Sequence, residues 1–297
     1  MKETSSSSHA SVMQVADGFN IVVEKDGSES APIVVLLHGG GQTRRSWSRT
    51  TSALISEGYA VISFDARGHG ESDWAPDGDY SLAAYARDLQ SLLSGYDASR
   101  TILVGASIGA ATALLHTSGE RPPPAALVLV DMVLQPAPGS GRRLINFMTG
   151  NPNGFATLAD AAAAVNAFNP ARDKVTDIFR LLPNLRLGDD HRYRWHWDPR
   201  LFGDPEQPSL PEFGWLAGVV SGRIRSPTLL IRGDQSEVVD DAGVEHLSSV
   251  IPHLQTAVIK GAGHMVVGDS NHLFNDALIG FLKKLRPNQI ALSSSDN

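Results

Sequence analysis

Three short stretches carry the residue types that acyl-transfer chemistry requires. The first is Gly105-Ala106-Ser107-Ile108-Gly109, entered from the β-branched run Thr101-Ile102-Leu103-Val104 and left through an alanine-rich segment. A serine hydroxyl is a poor nucleophile until a base takes its proton, and a sharp strand-to-helix turn serves this by exposing Oγ at the edge of a sheet. Small residues at 105 and 109 suit such a turn, and they equally suit close packing of a strand against a helix. These five residues alone leave both readings open.

The second stretch is His38-Gly39-Gly40-Gly41-Gln42, directly after the apolar run Ile33 to Leu37. An oxyanion needs preorganised N–H donors, and a glycine loop lets bare backbone approach a substrate. Gly40 is the first choice of donor from this loop, with Gly41 the alternative. Ile108 supplies the other, because the first N–H groups of a helix have no acceptor within it. The third stretch, Gly261-Ala262-Gly263-His264, follows the run Thr256 to Lys260. A histidine has an unperturbed pKa of about 6.5, which suits a base working near neutrality, and its place after a strand lets it reach a nucleophile on a neighbouring strand end.

The elements that must position these residues are legible as short continuous apolar runs at 21–24, 33–38, 60–65, 101–105, 126–131, 228–233 and 256–261. Continuous runs, rather than alternating ones, indicate strands buried on both faces, as in a parallel sheet. Helix-like segments lie between them. Ser81 to Leu93 places Leu82, Tyr85, Leu89, Leu92 and Leu93 close to one face with Ser81 as N-cap. Strand and helix alternation predicts an open, doubly wound α/β fold with a mostly parallel sheet.

From about residue 132 to 222 the strand-like runs stop and proline, arginine and aromatic residues accumulate. This stretch reads as a helical insertion, a cap over the strand ends, between core segments 15–131 and 223–287. Within it Thr157-Leu158-Ala159-Asp160 reads as a capping-box variant, and 173–182 as a further helix. Residues 1–14 and 288–297 read as flexible termini, too polar to order themselves. The aromatic cluster Tyr193-Arg194-Trp195-His196-Trp197-Asp198 packs the insertion onto the core, or else lends Trp195 and Trp197 to a substrate pocket wall.

Bulk composition narrows the function classes. The 297 residues carry a formal net charge of −7, which speaks against nucleic acid as a partner. With no cysteine there is no thiolate nucleophile, disulfide framework or cysteine metal site. No run has the length and apolarity of a membrane span, and the start lacks a secretory pattern, so a cytoplasmic protein, monomeric or homodimeric, is expected.

Taken in order, His38 to Gln42, Phe64-Asp65-Ala66-Arg67-Gly68-His69-Gly70-Glu71-Ser72-Asp73, Gly105 to Gly109 and Gly261 to Met265 resemble the α/β-hydrolase superfamily, from about Val23 to Leu285. The resemblance implies Ser107 as nucleophile, His264 as base, and the N–H groups of Gly40 and Ile108 as oxyanion hole. It also implies an inserted cap and no metal or organic cofactor. Two positions compete for the acid that orients the histidine. The superfamily's common pattern places it three residues beyond Gly233, where this chain has Ser236 and then Glu237. A branch places it at the end of the strand after the nucleophile's own, where this chain has Asp131, the preferred reading. The function implied is a serine hydrolase that cleaves a small-molecule carboxylic ester or lactone through an acyl-enzyme. An amidase, a carbon–carbon bond hydrolase, a cofactor-free perhydrolase and a non-catalytic small-molecule receptor are the alternatives. Arg44 with Arg45, and Arg142 with Arg143, are either solvated or positioned to attract an acidic substrate.

Overall fold

The computed structural model describes residues 10–136, 139–168, 174–202, 213–269 and 271–289. The apolar runs of the sequence become strands of one eight-stranded sheet: β1 (Ala10–Gln14), β2 (Asn20–Asp26), β3 (Ile33–Leu37), β4 (Ala60–Phe64), β5 (Thr101–Ala106), β6 (Ala126–Val130), β9 (Thr228–Gly233) and β10 (Gln255–Ile259). Their spatial order is β1-β2-β4-β3-β5-β6-β9-β10. Pairings β1–β2 and β2–β4 are antiparallel, and every other neighbour is parallel.

Side chains of consecutive strand residues point to opposite faces, so a continuous apolar run feeds two cores. Val35, Leu37, Leu103, Leu127, Leu129 and Leu230 pack on one face. Over them lie α2 (Leu82–Leu92), α3 (Ile108–Thr117), α6 (Leu216–Val220) and α7 (Asp241–Val250). Val34, Leu36, Ile102, Val104, Val128, Val130 and Ile231 pack on the other face. They meet α1 (Ser48–Ser56), α8 (Val266–Asp269) and α9 (Asn271–Gln289). Ser81 caps α2 as expected, accepting the Ala84 N–H at 3.2 Å.

The first expectation to fail is the N-terminus. Residues 10–14, assigned to a flexible end, form β1 in register with β2, from Ala10 opposite Glu24 to Gln14 opposite Asn20. The pairing is carried by backbone hydrogen bonds while the side chains stay mostly exposed, so composition held no hydrophobic signal for it.

Between β6 and β9 the chain leaves the sheet. This excursion holds α4 (Arg142–Thr149), α5 (Leu158–Phe168) and a 3₁₀ segment at Ile178–Asn184. It is not wholly helical, because β7 (Leu185–Leu187) and β8 (Tyr193–Trp195) form a two-stranded antiparallel hairpin. Three-residue strands are too short to show a period in sequence. The helix expected over 173–182 is replaced, among its described residues, by irregular chain and then the 3₁₀ segment. The capping box is present: the Asp160 N–H donates to Thr157 Oγ1 at 3.2 Å and the Thr157 N–H to Asp160 Oδ2 at 3.0 Å. Met148, Phe155, Leu181, Trp195, Trp197 and Phe202 give the excursion its own small core. It docks on the loop after β4, where the Asp198 N–H donates to the Gly68 carbonyl at 2.9 Å and the Gly70 N–H to His196 Nδ1 at 2.7 Å.

Candidate active site

Ser107 stands between β5 and α3 with φ 48° and ψ −116°. A positive φ is costly for a residue with a Cβ and persists only where the surroundings over-determine it. Here the Ser107 N–H extends the β5–β6 ladder by donating to the Val130 carbonyl at 3.0 Å, while its own carbonyl accepts from Ala111 at 3.0 Å as the first helical bond of α3. The chain must pass from strand to helix within one residue. The flanking glycines make the passage possible: a Cβ on Gly105 would lie 2.4 Å from the Gly109 carbonyl oxygen, and one on Gly109 would lie 2.5 Å from the Leu37 carbonyl oxygen. Close packing and the half-buried serine at the cavity are therefore two aspects of one turn. Ser107 Oγ makes no hydrogen bond to another described residue.

Asp131 ends β6 as Ser107 ends β5. Its φ is 47°, and its N–H continues the ladder to the Ile231 carbonyl at 2.8 Å. The side chain is buried, and both carboxylate oxygens have donors. Oδ1 accepts the Gly233 N–H at 3.1 Å, while Oδ2 accepts the Ser236 hydroxyl at 2.6 Å and lies 2.7 Å from His264 Nδ1. The contact with Asp131 places the Nδ1 proton toward the carboxylate and leaves Nε2 as the ring nitrogen with no hydrogen bond to another described residue. Glu237, the alternative acid, is half exposed and pairs with Arg143 at 3.2 Å instead. No hydrogen bond joins Ser107 Oγ to His264, a contact that commonly tightens only when substrate binds.

The glycine loop is a turn in which the Gln42 N–H donates to the Gly39 carbonyl at 3.1 Å and the Gly39 N–H to Gln42 Oε1 at 2.8 Å. Gly41 supplies the positive φ of 71° that the third position of such a turn requires. Its carbonyl faces His196 Nε2 at 3.3 Å, and a Cβ there would strike Met148. Gly40 has open space beside it, and its N–H makes no hydrogen bond to another described residue.

One cavity of about 90 Å³ gathers Gly40, Ser107, Ile108, Asp131 and His264. Most of its remaining wall is apolar, with Met132, Val133, Leu144, Met148 and Phe202 from the excursion. Gly41, Glu237, Trp195 and Trp197 do not line it. The two tryptophans stack on each other with ring centroids 5.0 Å apart inside the excursion's core, which corrects their reading as a pocket wall. Large flat side chains that bury this much area gain more from packing together than from facing a small cavity. Of the paired arginines, Arg44, Arg45 and Arg143 are engaged by carboxylates. Arg44 is buried in ion pairs with Glu24, Asp65 and Glu71, and Arg45 also meets Glu71. Arg67 forks onto Asp88 at 2.6 and 2.7 Å, so the Phe64–Asp73 motif braces its loop.

Two features were not read from the sequence. Ser236 touches the Asp131 carboxylate, and its only sequence signal was that it occupies a slot where a carboxylate was expected. His69 lines the cavity and belongs to a buried group with His38 and His196, at ring-centroid distances of 4.9 and 6.1 Å. Burial lowers the pKa of all three, with neighbouring charge adding to the effect at His69; His196 is pushed down to about 4. The group is therefore neutral near pH 7, and His38 shows how it is used: Nδ1 donates to the Gly39 carbonyl at 2.8 Å while Nε2 accepts the Ala66 N–H at 2.9 Å. Among the described residues no group of His, Asp and Glu could hold a metal ion, and no helix is long and apolar enough to cross a membrane.

The sequence matches the alpha/beta hydrolase fold family over residues 32–271, and the chain belongs to that family. It is 27% identical over 263 residues to an esterase of Mycobacterium tuberculosis, an alignment covering 85% of this chain and 83% of that protein. It is 26% identical over 265 residues to a probable protein phosphatase methylesterase 1 of Caenorhabditis elegans, covering 86% of this chain and 69% of that one. An α/β hydrolase from Novosphingobium aromaticivorans shares the fold at a TM-score of 0.75 and 22% identity, covering 94% of this chain and 98% of the other.

Proposed function

We propose that the protein is a serine esterase in which Ser107, His264 and Asp131 form the catalytic triad. The observation that carries this reading is the convergence of Ser107, the 2.7 Å His264–Asp131 pair and Gly40, whose N–H has no partner among the described residues, on one cavity. In the forward step His264 Nε2 takes the Ser107 proton as Oγ attacks the ester carbonyl. The tetrahedral oxyanion is held by the N–H groups of Gly40 and Ile108, and Asp131 stabilises the imidazolium. His264 then protonates the leaving alkoxide, and water repeats the sequence on the acyl-enzyme.

The apolar wall and the volume of about 90 Å³ favour a short, uncharged acyl group. Engagement of Arg44, Arg45 and Arg143 by carboxylates weakens the basis for an acidic substrate. A lactone is an internal ester and would pass through the same steps. The excursion between β6 and β9 acts in this reading as a cap that excludes water from the cavity. The family membership and the relatives named esterase and methylesterase support ester cleavage.

The test is labelling with a fluorophosphonate combined with turnover of nitrophenyl acetate, butyrate and palmitate. The expected result is stoichiometric labelling at Ser107, with acetate or butyrate preferred. Replacement Ser107→Ala should remove both labelling and turnover, a loss on the order of 10⁴- to 10⁶-fold in kcat. Undiminished turnover by purified Ser107→Ala protein would overturn the assignment.

A further inference from the structure

The geometry points to Ser236 as a positioning residue that holds Asp131 for its work on His264, an inference that rests on Asp131 being the acid of the triad. Ser236 Oγ lies 2.6 Å from Asp131 Oδ2 and accepts the N–H groups of Val238 and Val239, each at 3.1 Å. A hydroxyl has one proton and two acceptor sites. With both acceptor sites facing N–H donors, its one proton is directed at Asp131. The hydroxyl is thus a donor of fixed direction.

Asp131 needs that donor. Its side chain is 1% exposed, so bulk water is not at hand to replace a lost partner. Oδ1 is held by the Gly233 N–H, whereas Oδ2 is held by Ser236 and by His264. Without the hydroxyl, Oδ2 would be oriented only by the imidazole that it has to orient. Ser236 does not line the cavity, so its contribution should reach the reaction through Asp131 and not through substrate contact. A hydrogen bond to a charged buried group sets the scale, about 10- to 100-fold in rate.

A double-mutant cycle on full-length protein, with nitrophenyl butyrate turnover as the readout, tests the role. Ser236→Ala should lower kcat by about 10- to 100-fold and leave KM within about twofold. Ser236→Thr, which keeps the hydroxyl, should restore most of the rate. Ser236→Cys, a weak donor of similar size, should fall between and serves if the alanine variant does not fold. In an Asp131→Asn background, Ser236→Ala should change the residual rate by less than about threefold, because the partner it acts through is already altered. Full multiplication of the two losses would overturn the proposal and leave Ser236 as a cap for the turn at Val238 and Val239. A loss expressed in KM would overturn it too. If Asp131→Asn alone keeps the wild-type rate while Ser107→Ala is inactive, the acid assignment fails and takes this role with it, but the nucleophile stands.

Discussion

The two sides of the cavity are built by opposite means. On the Ser107 side the backbone does the positioning: ladder bonds past the end of β5, a glycine turn after β3, and carbonyl oxygens lying where a Cβ on Gly105 or Gly109 would go. On the Asp131 side, side chains do most of it, through the bonds among Asp131, Ser236 and His264. The first side should therefore be sensitive to volume and indifferent to most side-chain chemistry. The second should be sensitive to chemistry and more tolerant of volume. In the proposed triad the nucleophile and its N–H donors must be rigid in space, whereas the acid must present the correct charge and lone pair.

The sharpest test of this contrast is Asp131→Asn, a change of chemistry at constant size. It should lower kcat by about 10⁴-fold, since an amide can hold His264 in the wrong tautomer, while the melting temperature changes little. Activity assays on the purified variant decide it; retention of more than a tenth of the wild-type rate would erase the distinction between the two sides.

Next in size is a pH effect on the side that holds the glycine turn. His196 has a pKa of about 4 in the fold against an ordinary 6.5, so between these values the unfolded chain takes up a proton that the folded one refuses. Stability should accordingly rise with pH across that window, and His196 contributes up to about 3 kcal/mol of the change. His38 and His69 act in the same direction. Urea unfolding at pH 7.5 and 5 should show the loss at the lower pH, and His196→Gln should flatten the dependence. An unchanged slope in that variant would mean that His196 is not the group responsible.

A smaller effect is expected from volume alone. Gly109→Ala places a methyl group 2.5 Å from the Leu37 carbonyl oxygen, and should cost about 1–3 kcal/mol in urea unfolding. Activity should fall with it, because the turn at Ser107 and the Gly40 loop shift together; a stable and fully active variant would show that this side tolerates volume after all. The smallest effect belongs to Glu237→Gln, which removes only a half-exposed pair with Arg143 and should change kcat by less than about twofold. A large loss there would return Glu237 to the triad.

Most of the fold was legible because a parallel sheet writes itself as continuous apolar runs, as at Ile33–Leu37 and Ala126–Val130, and glycine-rich loops mark where such strands turn. β1 was missed because its stability lies in backbone pairing to β2, not in the burial of Val12 or Met13. The β7–β8 hairpin was missed because its strands are shorter than any readable period.

The candidate site divides in the same way. Ser107 and His264 stand in local patterns whose residue types already state the chemistry, and Gly40 sits in a turn whose glycine content follows from its geometry. These expectations came from the sequence alone, since each depends on neighbours within a few positions. The meeting of His264 with Asp131 and not with Glu237, the contact of Ser236 with that carboxylate, and the packing of Trp195 and Trp197 in a separate core were set only by tertiary structure. Each depends on which side chains meet across β6, β9 and the excursion, and contacts between residues distant along the chain are set by packing that no local pattern records.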